Sequence, residues 1–119
     1  MDDPAFTPVY IGDMQHRDRA YHQGTVWTFP LGAYLRARVR QLASPSLSAD
    51  EKNAVREHLK EAFSALEGWL YEGCLGQFAE IYDGECPAIS RGCFAQAWSV
   101  GEILRAVSEY EKEEQNAGN

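Results

Sequence analysis

The sequence predicts an all-α fold, and three observations support that prediction. Two long stretches place apolar residues three and four positions apart, the spacing of one helix face; they run from Leu31 to Leu42 and from Val55 to Leu70. Ser48-Ala49-Asp50-Glu51 is a capping box, in which the serine oxygen accepts a backbone N–H and the glutamate reaches back. No stretch shows the alternation of apolar and polar residues that is typical of a half-buried strand.

The first 26 residues show no helical periodicity. Pro4, Pro8, Gly12 and Gly24 interrupt them, and residues 15–19 form a charged patch around His16 that we expect to be a solvated loop. A structureless segment of this length is unusual in a compact domain. We therefore interpret it as either an active-site loop or a free arm.

Two helices should follow and form an antiparallel αα-hairpin. The first should begin near Phe29-Pro30, because proline suits a first helical turn, and end before Ser44-Pro45-Ser46. The second should follow the capping box and end near residues 71–73. A short link makes consecutive helices antiparallel neighbours. The predicted apolar stripes are Leu31, Tyr34, Leu35, Val39 and Leu42 on the first helix, and Val55, Leu59, Ala62, Phe63, Leu66 and Leu70 on the second.

Residues 73–94 are rich in glycine and are predicted to be irregular. A third helix should run from about Phe94 to Lys112, with an apolar stripe of Val100, Ile103, Leu104 and Val107. The polar tail, residues 111–119, should fray. The sequence thus predicts three main helices joined by long irregular segments.

Composition restricts the class of protein and its partners. A chain of 119 residues with 45% hydrophobic residues suits one globular domain. A net charge of -7 makes nucleic acid and anionic membranes poor partners. No apolar run is long enough to span a membrane, and the acidic start Met1-Asp2-Asp3-Pro4 does not resemble a signal peptide.

The cysteines and histidines indicate a reducing compartment and no metal site. Cys74, Cys86 and Cys93 are odd in number and form no CxxC pair, so we expect reduced thiols in a cytoplasmic protein. The three histidines, His16, His22 and His58, lie far from the cysteines and lack ligand spacing, so neither a metal nor another cofactor is expected.

The irregular segments carry the residues that suggest chemistry. Glu80 lies among apolar neighbours, just before the turn signal Asp83-Gly84, and a carboxylate in such a setting can act as an acid or a base. Residues 21–27 place aromatic and polar side chains on a loop next to a helix. This combination is typical of a sugar-binding site.

Three segments, in the same order, resemble the amylo-α-1,6-glucosidase domain of glycogen debranching enzymes. Tyr21-His22-Gln23-Gly24-Thr25-Val26-Trp27 resembles its YHxGTVWP region, residues 76–84 its GxxSEIxDG segment, and residues 91–100 its GCxAQAWSVAE helix start. Thr28, Ala79 and Gly101 stand where the family often has Pro, Ser and Ala. The resemblance is to the C-terminal end of that domain, so we expect residues 1–119 to be a C-terminal fragment of it.

The resemblance implies an (α/α)6 toroid, in which twelve helices alternate between inner and outer rings, and hydrolysis of α-1,6-linked glucose at branch points of glycogen or limit dextrin. Such enzymes invert the anomeric configuration, which requires two carboxyl groups about 6.5–9.5 Å apart. The general base falls on Glu80. The family's general acid is an aspartate in a Trp-Met-Asp motif, which this sequence lacks. The chain should therefore be part of a full-length glycoside hydrolase and be inactive alone.

The candidate substrate-binding residues remain open to other interpretations. His22 is either a ligand of a sugar hydroxyl or a structural histidine, and Trp27 and Trp98 either stack on sugar or fill the core. Gln96 is also a candidate for a hydrogen-bond partner that orders the Glu80 loop. The complete set of candidates is Tyr21, His22, Gln23, Trp27, Gln96 and Trp98.

Other residues have a structural interpretation. Asp83 is expected to be a turn residue and not a second catalytic carboxylate. Trp69 should be core, and His58 should lie on a helix surface. The apolar inner faces of a cut toroid would be exposed, so self-association or pairing with the missing part is expected.

Two further functional hypotheses stay open. In the first, the chain is a freestanding truncated homologue that binds α-glucan or a protein partner without cleaving it. In the second, the chain is a plain helical domain with no role in sugar binding, and the three motif matches are coincidental.

Overall fold

The computed structural model describes residues 3–118, within which the chain forms four helices and one small sheet. The helices are α1 (Met14–Tyr21), α2 (Phe29–Leu42), α3 (Ala49–Trp69) and α4 (Ala97–Ala117), and the strands are β1 (Val26–Trp27), β2 (Ile81–Tyr82) and β3 (Ser90–Arg91). The predicted all-α fold with three main helices is confirmed in part: residues 3–118 are mostly helical, but they form four helices and a small three-stranded sheet. Met1 and Asp2 of the acidic start, and Asn119 of the predicted fraying tail, lie outside the described residues.

Helices α2 and α3 are confirmed close to their predicted ends. Helix α2 begins at Phe29 with a proline in its first turn. The capping box forms as expected: the Glu51 N–H donates to Ser48 Oγ at 3.3 Å, and the Ser48 N–H donates to Glu51 Oε2 at 2.8 Å. Helix α4 begins three residues after the predicted start, and it continues through Ala117 instead of ending near Lys112.

The prediction that residues 1–26 contain no helix is wrong. Asp13 caps helix α1 by accepting a hydrogen bond from the His16 N–H at 3.0 Å. Only Ala20 of α1 is buried, so the helix has no apolar stripe that a search for periodicity would detect. The free-arm alternative is also wrong, because the N–H of Thr7 donates to the Gln23 carbonyl at 2.9 Å and the N–H of Gly84 donates to the Pro8 carbonyl at 2.7 Å.

The small antiparallel sheet, in the order β1-β2-β3, was not predicted. Trp27 pairs with Ile81, and Ile81 pairs in turn with Arg91. Each strand has two residues, which is too short for an alternating pattern. The sheet joins the segment that follows α1 to the loop between α3 and α4.

The core forms where α2, α3 and α4 pack together. Tyr34 of α2 and His58 of α3 are separated by similar numbers of residues from the link between these helices. The Tyr34 hydroxyl oxygen lies 3.2 Å from His58 Nε2, as the predicted antiparallel hairpin requires. Seven of the fifteen predicted stripe residues are buried and six are partly buried, but Tyr34 and Leu104 are 49% and 62% exposed. The buried core consists of Leu35, Val39, Leu42, Val55, Leu59, Leu66, Phe78, Ile103 and Ala106.

Helices α2 and α4 run side by side in the same direction. Gly32 lies against the backbone of Glu102, and further along both helices Val39 and Glu109 border the same groove. Arg36 bridges the pair, with salt bridges to Glu102 at 3.4 Å and to Glu109 at 2.9 Å. Both helices therefore begin at the same end of the molecule.

No helix within residues 3–118 combines the length and the apolar character needed to cross a membrane.

The close approach of α2 to α4 predicts opposite effects of alanine at two helical glycines. A Cβ atom at Gly32 would lie 2.5 Å from the backbone of Glu102, whereas a Cβ atom at Gly68 would meet nothing within 4 Å. We expect Gly68→Ala to raise the free energy of unfolding by about 0.5–1 kcal/mol through helix propensity. Gly32→Ala should lower the free energy of unfolding by about 1 kcal/mol or more, because overpacking against Glu102 outweighs the gain in helix propensity.

Urea unfolding of the two variants, with Gly101→Ala as a second open position on α4, measures the difference. An increase in stability for Gly32→Ala equal to that for Gly68→Ala would contradict the helix packing described above.

Candidate functional site

The carboxylate of Glu80 is held by donors from three separate segments. Its Oε1 accepts hydrogen bonds from the Tyr21 hydroxyl at 2.6 Å and from the Gln96 amide nitrogen at 3.1 Å. Its Oε2 accepts a hydrogen bond from the Cys93 backbone N–H at 3.1 Å. Glu80 is half-buried. These donors fix the carboxylate in one orientation.

The turn at Gly92 and Cys93 wraps around this carboxylate. The Glu80 N–H donates to the Cys93 carbonyl at 2.8 Å, so Cys93 bonds both the backbone and the side chain of Glu80. Gly92 has a φ of +66°, and a Cβ atom there would lie 2.6 Å from Glu80 Oε2. A side chain at position 92 would therefore strain the turn and displace the carboxylate.

Glu80 faces an open cavity of about 710 Å³, a size that suits a small ligand. An ionised carboxylate has about four acceptor positions, and the hydrogen bonds from Tyr21, Gln96 and Cys93 leave one of them on Oε2. A ligand hydroxyl or a water molecule can donate to that position. The cavity is lined by Tyr10, Ile11, Gly12, Arg17, Asp18, Tyr21, Glu80, Arg91, Gly92 and Cys93.

The Tyr21 hydroxyl is a hydrogen-bond donor in this arrangement. Its hydrogen bond to Glu80, followed by burial and the charge of Glu80, raises the pKa of Tyr21 to about 12. Loss of the proton would place a phenolate against a carboxylate, and this like-charge contact disfavours ionisation. Tyr21 therefore stays protonated at neutral pH and continues to donate to Glu80.

Asp83 anchors the cavity wall. It is 3% exposed, and it accepts hydrogen bonds from the Arg91 guanidinium at 2.9 Å and from the Tyr10 N–H at 2.9 Å. Burial alone would raise the pKa of Asp83, but the Arg91 and Tyr10 hydrogen bonds outweigh burial and the net pKa is lowered. Because the folded-state pKa is lowered, the stability contributed by this carboxylate is present at neutral pH and is lost as the pH falls through that pKa.

A row of aromatic rings leads away from Tyr21. His22 stacks on Trp27, with ring centroids 5.1 Å apart and planes 2° from parallel. Trp27 packs edge-on against Phe29 at 6.1 Å, and Phe29 stacks on Trp98 at 4.6 Å. The indole N–H of Trp27 donates to the Tyr21 carbonyl at 2.8 Å, which ties the row to the site.

Trp98 is not part of the core, so the interpretation that it fills the core is wrong. It is 49% exposed, because the buried residues of α4, Ser99, Ile103 and Ala106, place position 98 on the flank of the helix. Trp69, which was expected to be core, is partly buried and packs against Tyr82 at 4.6 Å.

The remaining candidate, Gln23, lies outside the cavity, as do the two histidines that were not candidates, His16 and His58. Gln23 borders a separate surface groove with Pro4 and Arg19. His16 is exposed and contacts Asp13 at 2.7 Å on α1, and the half-buried His58 contacts Tyr34. Tyr21, Glu80 and Gln96 are thus the predicted residues that meet directly, and His22, Trp27 and Trp98 lie in the adjacent aromatic row.

The three cysteines are free, and Cys93 borders the cavity. Within residues 3–118, no group of three His, Cys, Asp or Glu side chains is placed to hold a metal ion.

Several groups at the site were not found from the sequence. They are the guanidinium of Arg91, the backbone N–H of Cys93 and the hydroxyl of Thr28, whose hydrogen-bond partners lie 8, 13 and 51 residues away in the chain. The glycine beside Cys93 was the one local signal, since a glycine with positive φ often marks a close approach.

Comparison with protein families confirms the resemblance that the motifs suggested. A family model described as amylo-alpha-1,6-glucosidase matches residues 1–105 of the 119-residue chain. No solved structure matches the chain.

The hydrogen bond between Tyr21 and Glu80 predicts a measurable change in the titration of the tyrosine. Glu80→Gln removes the negative acceptor, so we expect the pKa of Tyr21 to fall from about 12 toward the ordinary value of about 10. The measurement is the ultraviolet absorbance of tyrosinate as a function of pH. Subtracting the titration curve of the matching Tyr21→Phe protein isolates the contribution of Tyr21. Glu85→Gln, which removes an exposed carboxylate, is the matched control.

The control should leave the pKa of Tyr21 unchanged. A Tyr21 that titrates at the same pH in the Glu80→Gln protein and in the unaltered chain would contradict the contact.

Proposed function

Since this chain belongs to the amylo-α-1,6-glucosidase family, we propose that Glu80 is the general base of an inverting α-1,6-glucosidase. The proposed substrate is the α-1,6-linked glucose at a branch point of glycogen or limit dextrin. The observation that supports this role is the Glu80 carboxylate, which is fixed by three donors and keeps one acceptor position. A general base needs that combination of fixed geometry and a free position for water.

The hydrogen bonds of Glu80 favour one of its oxygens as the base. Both acceptor positions on Oε1 are filled, by Tyr21 and Gln96, whereas Oε2 accepts one hydrogen bond, from Cys93. We therefore expect the attacking water to donate to Oε2 and to transfer its proton there as it adds to the anomeric carbon. Water attacks from the face opposite the leaving oxygen, which gives inversion.

The general acid must protonate the leaving oxygen, and we propose that it comes from outside this chain, together with most of the (α/α)6 toroid. The helix directions support this arrangement. Helices α2 and α4 run in the same direction and α3 runs against them, as expected when α2 and α4 belong to one ring and α3 to the other. Residues 1–119 would then be the C-terminal part of the barrel.

The aromatic row is the proposed sugar-binding surface. Flat rings stack on the apolar faces of sugars, and the Phe29–Trp98 pair presents half-exposed rings beside the site. We propose that His22, Trp27 and Trp98 guide the glucan toward Glu80. Tyr21 and Gln96 would act on the substrate chiefly through the carboxylate that they hold, and Gln23, which borders another groove, would contribute least.

An apolar groove of about 330 Å³ between α3 and α4 is the proposed contact with the rest of the toroid. Leu104 on its wall is 62% exposed. Apolar surface of this kind favours association, so the isolated chain should self-associate through it. We place the enzyme in the cytoplasm, because free thiols suit a reducing compartment. The groove is lined by Phe63, Leu66, Glu67, Leu70, Gly76, Phe78, Val100, Ile103, Leu104 and Val107.

The second candidate function is binding of α-glucan, or of a protein partner, without cleavage. The exposed Phe29–Trp98 pair favours it, because this surface is available without a general acid. The family match disfavours a plain helical domain with no role in sugar binding.

The proposed base predicts a specific kinetic defect. In a complete enzyme that includes this chain, Glu80→Gln should lower kcat for glucose release from limit dextrin by about 10²–10⁴-fold. KM should change little, because the amide keeps the shape of the side chain and the substrate contacts lie elsewhere. Glu85→Gln is the matched control and should keep the kcat of the unaltered enzyme.

An active Glu80→Gln enzyme would contradict the assignment. If the isolated chain then also quenched its tryptophan fluorescence on titration with a maltooligosaccharide, the binding-only alternative would be supported.

The apolar groove predicts a change of oligomeric state. Leu104→Glu places a charge in the groove, so it should convert self-associated chain to monomer in sedimentation velocity experiments. Phe6→Glu, an equal change at an apolar residue that is 55% exposed outside the groove, should leave the association intact. An equal effect of both changes, or a monomeric unaltered chain, would contradict this role of the groove.

A further inference from the structure

Thr28 occupies the position before helix α2 where a hydroxyl ordinarily caps the helix, yet its hydroxyl makes no capping bond. Instead, Thr28 Oγ1 lies 2.5 Å from the Ala79 carbonyl oxygen and 3.1 Å from the Glu80 carbonyl oxygen. It also lies 2.9 Å from the hydroxyl of Ser99. Thr28 and Ser99 are 2% and 0% exposed. The hydroxyl of Thr28 therefore serves the backbone of the Glu80 segment and not its own helix.

The donors in this group follow from the number of available protons. Each hydroxyl has one proton, and a carbonyl oxygen can only accept. Thr28 therefore donates to Ala79, with the more distant carbonyl of Glu80 as a second acceptor. Ser99 must then donate to Thr28 Oγ1. The hydrogen bonds run in one direction, from α4 through the start of α2 to the backbone around Glu80.

The segment 78–80 has no regular secondary structure, yet each of its carbonyls has a partner at the start of α2 or α4. The Gln96 N–H donates to the Phe78 carbonyl at 3.0 Å, Thr28 Oγ1 donates to Ala79, and the Thr28 N–H donates to the Glu80 carbonyl at 3.3 Å. Since buried backbone groups are nearly always paired, these hydrogen bonds specify the path of the segment. Gln96 holds both the segment and the carboxylate.

We propose that Thr28 and Ser99 are positioning residues, whose hydroxyls fix the peptide that carries Glu80 so that its carboxylate reaches Tyr21, Gln96 and the Cys93 N–H. This inference rests on the proposed role of Glu80 as general base. Neither hydroxyl touches the cavity, so both act through Glu80. Without the Thr28 hydroxyl, the Ala79 carbonyl loses its donor, and the peptide between Ala79 and Glu80 is then held through the Glu80 N–H alone, which donates to the Cys93 carbonyl.

The position of Glu80 can be measured in the isolated chain, without activity, through Tyr21. Thr28→Val keeps the side-chain shape and removes the hydroxyl, whereas Thr28→Ser keeps the hydroxyl. We expect Thr28→Val to lower the pKa of Tyr21 from about 12 toward about 10, and Thr28→Ser to restore it. A merely structural hydroxyl would lower Tm and leave the pKa of Tyr21 unchanged.

Ser99→Ala tests the second hydroxyl and serves also if Thr28→Val does not fold. It removes the donor to Thr28 but leaves Thr28 able to donate, so the pKa of Tyr21 should fall by a smaller amount. Circular dichroism verifies that each variant retains its helices. Folded variants in which the pKa of Tyr21 equals that of the unaltered chain would overturn the proposal.

In a complete enzyme that includes this chain, Thr28→Val should lower kcat about 10- to 100-fold, because small displacements of a reacting group are costly. KM should stay nearly constant, and Thr28→Ser should recover the rate. Unchanged kcat together with a lowered pKa of Tyr21 would overturn the role in catalysis. If Glu80→Gln itself left kcat unchanged, the proposed base would fail, whereas the titration would still report whether Thr28 positions Glu80.

Discussion

The hydrogen bonds to the Glu80 carboxylate are the interactions on which the site depends. The donors come from the end of α1, from the turn after β3 and from the start of α4; Tyr21 lies 59 residues from Glu80 in the chain, and Cys93 and Gln96 lie 13 and 16 residues from it. The carboxylate is therefore fixed only after the three segments have assembled. Its geometry depends on the tertiary structure around it, and the hydrogen bond from Tyr21 to Glu80 raises the pKa of that tyrosine.

The core serves this site by bringing two helix starts together. Helices α2 and α4 lie parallel, and the close approach at Gly32 sets the distance between them. Because they run in the same direction, Thr28 and Gln96 both reach the segment that carries Glu80. The salt bridge between the buried Asp83 and the partly buried Arg91 then fixes the neighbouring cavity wall. The packing of the helices therefore determines the position of the Glu80 side chain.

The features that the sequence predicted are those encoded locally. Helices α2 and α3 were predicted because apolar spacing and a capping box act within a few residues, and the family motifs indicated Glu80. Helix α1 was missed because it buries little and its one cap, Asp13, follows a proline-containing stretch. The two-residue strands and the inward turn of the Thr28 hydroxyl arise from long-range contacts. Whether Trp98 lies in the core or at the surface was not decided, since helical spacing alone does not show which flank of α4 faces solvent.

Anion rescue tests the role of Glu80 most directly. In a complete enzyme that includes this chain, Glu80→Ala would remove the base and leave space for azide, which attacks without losing a proton. If Glu80 is the general base, azide should raise the rate of limit-dextrin consumption by this variant and yield the β-glucosyl azide, the product of inversion. If azide neither raises the rate nor yields a glucosyl azide, while the variant still binds the substrate, Glu80 does not activate the nucleophile and the account is wrong.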